Sequence, residues 1–307
     1  MTAKRSCQII GIFVCILVLT AAAAADTDRP AQADIGIKDT IQWYRAFFPP
    51  VTIPEGPDKD TGFFDRINEL LIDHMPQYSH EYKTANFKRI IMEMKKGKNV
   101  CCPSLYKTEE REALIAFSVP AVVVLPNVVI TKKASNDRLQ PYLDSSGSLK
   151  LSELLHNEDM VLGISNGRKY SGGIDEILAR HHGAGHVLLR SGKDVFKGLL
   201  HMLDADRVDY ILGYPIEAQY FSRSLRNPDD FRIYFIAENK IAFTIGHVGC
   251  PKNDWGEQVI RSVDQVLTDH RRTPEFLGFY ESWLDKETIG YYRRIVRRYF
   301  ESENLDR

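Results

Sequence analysis

Short apolar runs alternate with stretches of helical spacing along most of the chain, which predicts strands alternating with helices. Ile41-Gln42-Trp43-Tyr44 reads as a first strand, and Pro49, Pro50, Pro54, Gly56 and Pro57 break the chain after it into a long loop. Phe63, Ile67, Leu70 and Leu71 then recur at helical spacing after Gly62, until Pro76 stops them. Residues 78–82 are extended. Asn86 is placed to cap a second helix with Phe87, Ile90, Ile91 and Met94 on one face, and Gly97 fits its end. Val100-Cys101-Cys102 is a short buried strand. This β, α, β, α, β order predicts an open α/β sheet.

The pattern then repeats. A strand at 116–118 is followed by an apolar, β-branched run at 122–130, interrupted by Pro126, and by a polar stretch at 134–150 with a loop at 145–148. Strands are expected at 161–164, 187–189 and 208–212, with helices at 151–155, 173–179, 195–203 and 216–221. Further strands at 233–236 and 241–245 precede closing helices at 259–267, 275–284 and 289–300. Two such sets predict two α/β lobes facing one cleft. Ligands of open α/β sheets sit beyond the carboxyl ends of the strands.

The N-terminus follows a different pattern. Lys4 and Arg5 precede an apolar run at 9–19, then Thr20 and the alanines 21–25. That is a secretory signal peptide with cleavage expected after Ala25. The run is shorter than the ~20 residues that span a bilayer. Phe13 and Val14 before Cys15 do not suit lipid attachment, and no later segment is long and apolar enough to span. The mature chain is therefore expected to be exported and periplasmic. Export leaves three cysteines, Cys101, Cys102 and Cys250, in a compartment that permits a disulfide.

At 307 residues, 44% hydrophobic and 26% charged, the composition is that of an ordinary globular protein. The net charge of −1 becomes −3 once Lys4 and Arg5 are removed, so there is no electrostatic footprint for nucleic acid. Neither GxxxxGK[ST] nor GxGxxG occurs, and no cofactor is implied.

Four stretches carry a resemblance. Cys102-Pro103-Ser104-Leu105-Tyr106-Lys107-Thr108-Glu109-Glu110-Arg111, with Ala116-Phe117-Ser118-Val119-Pro120, resembles the T-x-x-R…F-S-x-P region of periplasmic solute-binding proteins of the polar amino-acid type, family 3. Gly62-Phe63-Phe64-Asp65 is similar to that family's opening of its first helix. The stretch from Val161 to Gly167 resembles its second-lobe turn, and Arg207-Val208-Asp209-Tyr210-Ile211-Leu212 a later strand. The resemblance, to a divergent member, runs from about residue 35 to 300.

It implies a type II periplasmic-binding-protein fold, two α/β lobes joined by a two-strand hinge. Residues 34–121 and 248–307 would form lobe I and 122–247 lobe II, with crossings near 120–126 and 243–248. Arg111 stands where the family clamps a ligand carboxylate, a task suited to the planar fork of a guanidinium. Ser104 and Tyr106 would stand near it, with Lys169 facing from the second lobe. The family's ammonium-binding Asp falls at Tyr214, so an α-ammonium would lose its counter-charge. A small anionic, carboxylate-bearing solute is expected instead, with Tyr106, Tyr170 and Tyr214 available to cover a ring or apolar body. In folds of this type the returning strand lies beside the third strand. That implies a Cys102–Cys250 bond, or alternatively Cys101–Cys250, since adjacent strand residues face opposite ways.

The implied function is solute capture by hinge closure for a membrane transporter. The alternative is a periplasmic partner of a membrane signalling protein. An enzyme is less favoured: there is no GxSxG, and Glu217 is the acid nearest the expected cleft edge. His181-His182-Gly183-Ala184-Gly185-His186 matches no metal-binding helical pair and reads as a solvated loop, with no metal expected. Arg293, Arg294, Arg297 and Arg298 form the polar face of an amphipathic helix, open to a membrane partner.

Overall fold

The computed structural model describes residues 39–192 and 194–305. The expected signal segment lies outside the described residues.

Three parallel strands start the first sheet: β1 (Thr40–Arg45), β2 (Ser79–Thr84) and β3 (Val100–Tyr106). They are joined by α1 (Phe63–Asp73) and α2 (Phe87–Lys95). The α1 face carrying Phe63, Phe64, Ile67 and Leu71 is buried against the sheet. Its start is held by Asp65, which accepts hydrogen bonds from the backbone N–H groups of Ile53 (2.7 Å) and Gly62 (3.1 Å). Asn86 caps α2 by accepting from Arg89 N at 2.9 Å. A short α3 (Glu109–Glu112), β4 (Ile115–Phe117) and β5 (Val122–Val124) follow.

The apolar run at 122–130 is split between two sheets. After Leu125-Pro126-Asn127 the chain enters β6 (Val128–Lys132), which is central in the second sheet and buried on both faces at Val128, Val129 and Ile130. The polar stretch at 134–150 contains α4 (Asn136–Leu139), and α5 (Leu151–Leu154) follows it. Next come β7 (Leu162–Ser165), α6 (Ile174–Ala179), β8 (Val187–Arg190), α7 (Val195–Asp204), β9 (Tyr210–Gly213), α8 (Pro215–Ser222) and β10 (Phe231–Tyr234). The second sheet has the order β10-β6-β9-β7-β8, with β7, β8 and β9 parallel and β6 antiparallel to its neighbours.

The chain returns to the first sheet in β11 (Thr244–Pro251), whose sheet order is β2-β1-β3-β11-β4, with β5 also on β11. The strand expected at 241–245 is therefore displaced. Its three-residue partner β5 pairs only with residues 244–246, and Phe243 packs instead on Tyr299 at 5.5 Å between ring centres. Gly246 lets this strand approach α1, since a Cβ there would come within 2.5 Å of the Phe64 ring. The chain closes with α9 (Asp254–His270), α10 (Pro274–Glu281) and α11 (Lys286–Leu305). Among the described residues no helix is long and apolar enough to cross a membrane.

The disulfide joins Cys101 to Cys250, not Cys102 to Cys250. The register explains the correction. Cys102 lies opposite Gly249, which sets Cys101 directly across from Cys250, with their Cα atoms 4.3 Å apart. Cys101 and Cys250 share the main core of the first sheet, whereas Cys102 points to the other face and packs near Tyr44, Met94 and Ile115. Burial pushes the free Cys102 thiol up to about 11.

Candidate functional site

The carboxyl ends of β3, β7 and β9 bring together the groups with unusual chemistry. On the first-sheet side, Thr108 caps α3 by accepting from Arg111 N, which anchors Arg111 just past the end of β3. The half-buried Arg111 donates through Nη1 to the Tyr106 carbonyl at 2.8 Å. Among the described residues no carboxylate pairs with it. Ser104 is buried in β3, its Oγ 4.0 Å from Cys102 Sγ, and the Arg111 charge also reaches that thiol. Arg111, Ser104 and Tyr106 thus share one end of the strand.

On the second-sheet side, the turn after β7 is set by Gly167 at φ +74°, a conformation that costs glycine nothing. Arg168 N closes the turn on the Ser165 carbonyl at 3.3 Å. The Arg168 side chain then turns inward, while Lys169 stays exposed on the turn. Arg168 makes a two-point ion pair with the buried Glu217, Nη1 to Oε1 at 3.0 Å and Nη2 to Oε2 at 2.7 Å. Nη2 also donates to Asn127 Oδ1 at 3.1 Å. The guanidinium carbon lies 5.0 Å from the Tyr214 ring centre and 5.4 Å from that of Tyr170. Burial opposes the Arg168 charge, but the Glu217 carboxylate more than offsets it and holds the guanidinium protonated beyond its ordinary range.

Glu217 sits in the first turn of α8, where its Oε2 accepts from Tyr214 N at 2.9 Å. Tyr214, just past the end of β9, packs half-buried against the main core of the first sheet. Burial first, and the electrostatic influence of Tyr106 second, push its phenol well up. Tyr280, fully buried beneath them, accepts from Leu125 N at 3.0 Å where the chain crosses between the sheets. Further out, Phe235 stacks on Tyr291 at 3.9 Å, Tyr220 meets Trp283 at 5.6 Å, and Arg223 pairs with Asp58 at 3.3 Å.

Of the residues singled out from sequence, Arg111, Ser104 and Tyr106 share the end of β3, Tyr214 lies within electrostatic reach of Tyr106, and Lys169 is exposed on its turn. The Arg168–Glu217 pair and its Asn127 contact were not expected. A buried pair between residues 49 apart leaves no local spacing signal, although Arg168 beside a glycine turn and Glu217 in a helix's first turn were each visible. Two open depressions, of about 450 and 360 Å³, lie elsewhere. Both are lined only from the first sheet and its helices, so neither can be closed by the second. Among the described residues no three His, Cys, Asp or Glu side chains are placed to hold a metal ion. His181 stacks edge-on to His156 at 5.2 Å, and the buried His186 is occupied by a hydrogen bond to the Leu155 carbonyl at 3.0 Å.

Two α/β sheets linked by two chain crossings and meeting at a polar, aromatic seam define a type II periplasmic-binding fold. The chain belongs to the bacterial extracellular solute-binding proteins, family 3, which it matches over residues 43–286. No curated protein matches it in sequence. Among solved structures it is similar to an ancestral cationic amino acid solute-binding protein, with a TM-score of 0.62 at 17% identity, covering 80% of this chain and 96% of that one. A polar amino acid ABC uptake transporter substrate-binding protein from Streptococcus thermophilus aligns with a TM-score of 0.56 at 20% identity, covering 80% and 86%. A histidine kinase sensor domain with similarity to periplasmic binding proteins aligns with a TM-score of 0.53 at 15% identity, covering 80% and 96%. At these identities the likeness establishes the fold.

Proposed function

We propose that the protein is a periplasmic solute receptor whose two lobes close on a small carboxylate-bearing solute for delivery to a membrane transporter. Lobe I would comprise residues 34–121 and 248–307 and lobe II residues 122–247, hinged where β5 and the start of β11 pair. One observation carries the reading: Arg111, just past the end of β3, pairs with no acid among the described residues, while Glu217 is already taken by Arg168. A carboxylate therefore has a free two-point partner, and an ammonium has none. Tyr106 and Tyr214 offer ring surface for the solute's apolar body. The same pairing argues against using Glu217 as a proton-transfer group, so binding rather than catalysis is the favoured activity.

A second reading is a receptor that reports to a membrane signalling protein. It is supported by the likeness of the fold to a histidine kinase sensor domain that is itself similar to periplasmic binding proteins.

The test is a thermal-shift screen of monocarboxylates, dicarboxylates, amino acids and amines, followed by calorimetry on the hits. Solutes that bind the folded form raise its midpoint. Carboxylates without an amino group are expected to do so. A screen in which only amines or amino acids raise the midpoint would overturn the proposal. Neighbouring genes discriminate the partners: a permease and ATPase for transport, a transmembrane regulator for sensing.

A further inference from the structure

We infer that Arg168 is a built-in occupant of a guanidinium-binding site, and that by filling it the protein excludes cationic solutes from its own cleft. The inference rests on the reading of the seam as the solute site. Around the Arg168 head stand the groups that would recognise a free guanidinium. A buried carboxylate meets two nitrogens in parallel, an amide oxygen takes a further N–H at 3.1 Å, and two phenol rings lie 5.0 and 5.4 Å from the central carbon.

The host groups are held in place without Arg168. Glu217 Oε2 accepts from Tyr214 N at 2.9 Å. Asn127 Nδ2 donates to the Tyr170 carbonyl at 3.0 Å, and the Tyr170 hydroxyl accepts from Ser165 N at 3.0 Å. The β5–β6 link is held by Leu125 N donating to the Tyr280 hydroxyl, the segment after β7 by Tyr170 N donating to Asp175, and the start of α8 by its own helix. The guest enters from the Gly167 turn, where a Cβ on Gly167 would meet nothing within 4 Å, whereas Tyr170, two residues after Arg168, is held separately through its hydroxyl on Ser165 N and its own N–H on Asp175. Host and guest are thus separable in structure.

Covalent tethering gives the guest a high effective concentration, so a soluble cation must compete against a ligand that never leaves. Removing the Arg168 side chain vacates the host and leaves Glu217 buried and unpaired, a state that a small cation can relieve. The native arrangement turns a cation site into a closed wall and leaves Arg111 as the cleft's available charge.

The experiment uses Arg168→Ala with methylguanidinium as the probe, at low millimolar concentration against sodium chloride of equal ionic strength. Calorimetry should show methylguanidinium binding the variant on the order of ten- to a hundredfold more tightly than the wild type, the range of one net hydrogen bond to a charged group. The variant's melting midpoint should rise with the probe, and the wild type's should not. Arg168→Ala/Glu217→Gln should lose the response. If Arg168→Ala does not stay folded in buffer, its refolding yield with and without the probe reads the same property. A variant whose melt and refolding yield both ignore methylguanidinium overturns the inference, as does an equal response from the double variant. The probe has no carboxylate, so this result is independent of whether the carboxylate screen or Arg111→Ala succeeds.

Discussion

Breaking the Cys101–Cys250 bond should remove a large part of the protein's stability, and the size of the loss follows from topology. The bond spans a sequence separation of 149 because the whole second sheet is inserted between the two cysteines. In the chain-entropy treatment, releasing so long a loop returns about 5 kcal/mol of freedom to the unfolded chain at 25 °C. Residual structure in the unfolded chain reduces that figure. Both cysteines are fully buried in the main core, so an alanine pair also loses packing, roughly 1 kcal/mol per site. Cys101→Ala/Cys250→Ala should therefore lose about 3–6 kcal/mol against the oxidised wild type, a large share of the 5–15 kcal/mol typical of a folded protein. The assay is urea unfolding of the wild type with and without reductant, beside the paired variant and Cys102→Ala. Cys102→Ala should cost only about 1 kcal/mol, as a buried group that carries no cross-link. Non-reducing peptide mapping should find Cys101 bonded to Cys250, with Cys102 reacting with thiol reagents only on unfolding. A bond mapped to Cys102, or a Cys102→Ala loss equal to that of the pair, would refute the register on which the reasoning rests.

Arg111→Ala should weaken binding of the carboxylate found by screening by about 2–5 kcal/mol with its melt nearly unchanged, and Arg111→Lys should also bind poorly because the fork is lost; calorimetry showing unaltered affinity in Arg111→Ala would falsify the clamp. Burial holds the His247 imidazole below its ordinary pKa, where its Nδ1 meets the Ser118 carbonyl at 2.8 Å. The folded state then favours the neutral ring, so this contribution is present above the unfolded value of about 6.5 and is lost as pH falls from there through the lower folded value. His247→Gln should accordingly show a smaller loss of stability between neutral and mildly acidic buffer than the wild type in urea titrations, and equal losses would remove His247 from the account. N-terminal sequencing of the exported protein should begin at Asp26, and an intact Met1 end in the membrane fraction would count against the signal peptide.

Much of the fold was legible because strands and helices are local patterns. The α1 face, the Asn86 cap and the split at Pro126 each depend on residues within one or two turns of one another, and the alternation of strands with helices predicts α/β layers. The family motifs likewise placed Arg111, Ser104 and Tyr106 at one end of β3. What depended on pairing between distant segments was not legible. One residue of register between β3 and β11 decides whether Cys101 or Cys102 faces Cys250, and no spacing in the chain records it. The extent of β11 was set by the partners β5, β3 and β4 rather than by its own apolar run. The same holds at the seam. Gly167 announces a turn, but only the packing of α8 against that turn makes Arg168 point inward to Glu217 and leaves Lys169 in solvent. Charge type is written in the sequence, whereas which charges are already spent on each other is a property of tertiary structure, because the pairing of buried ions depends on distances that chain order does not fix.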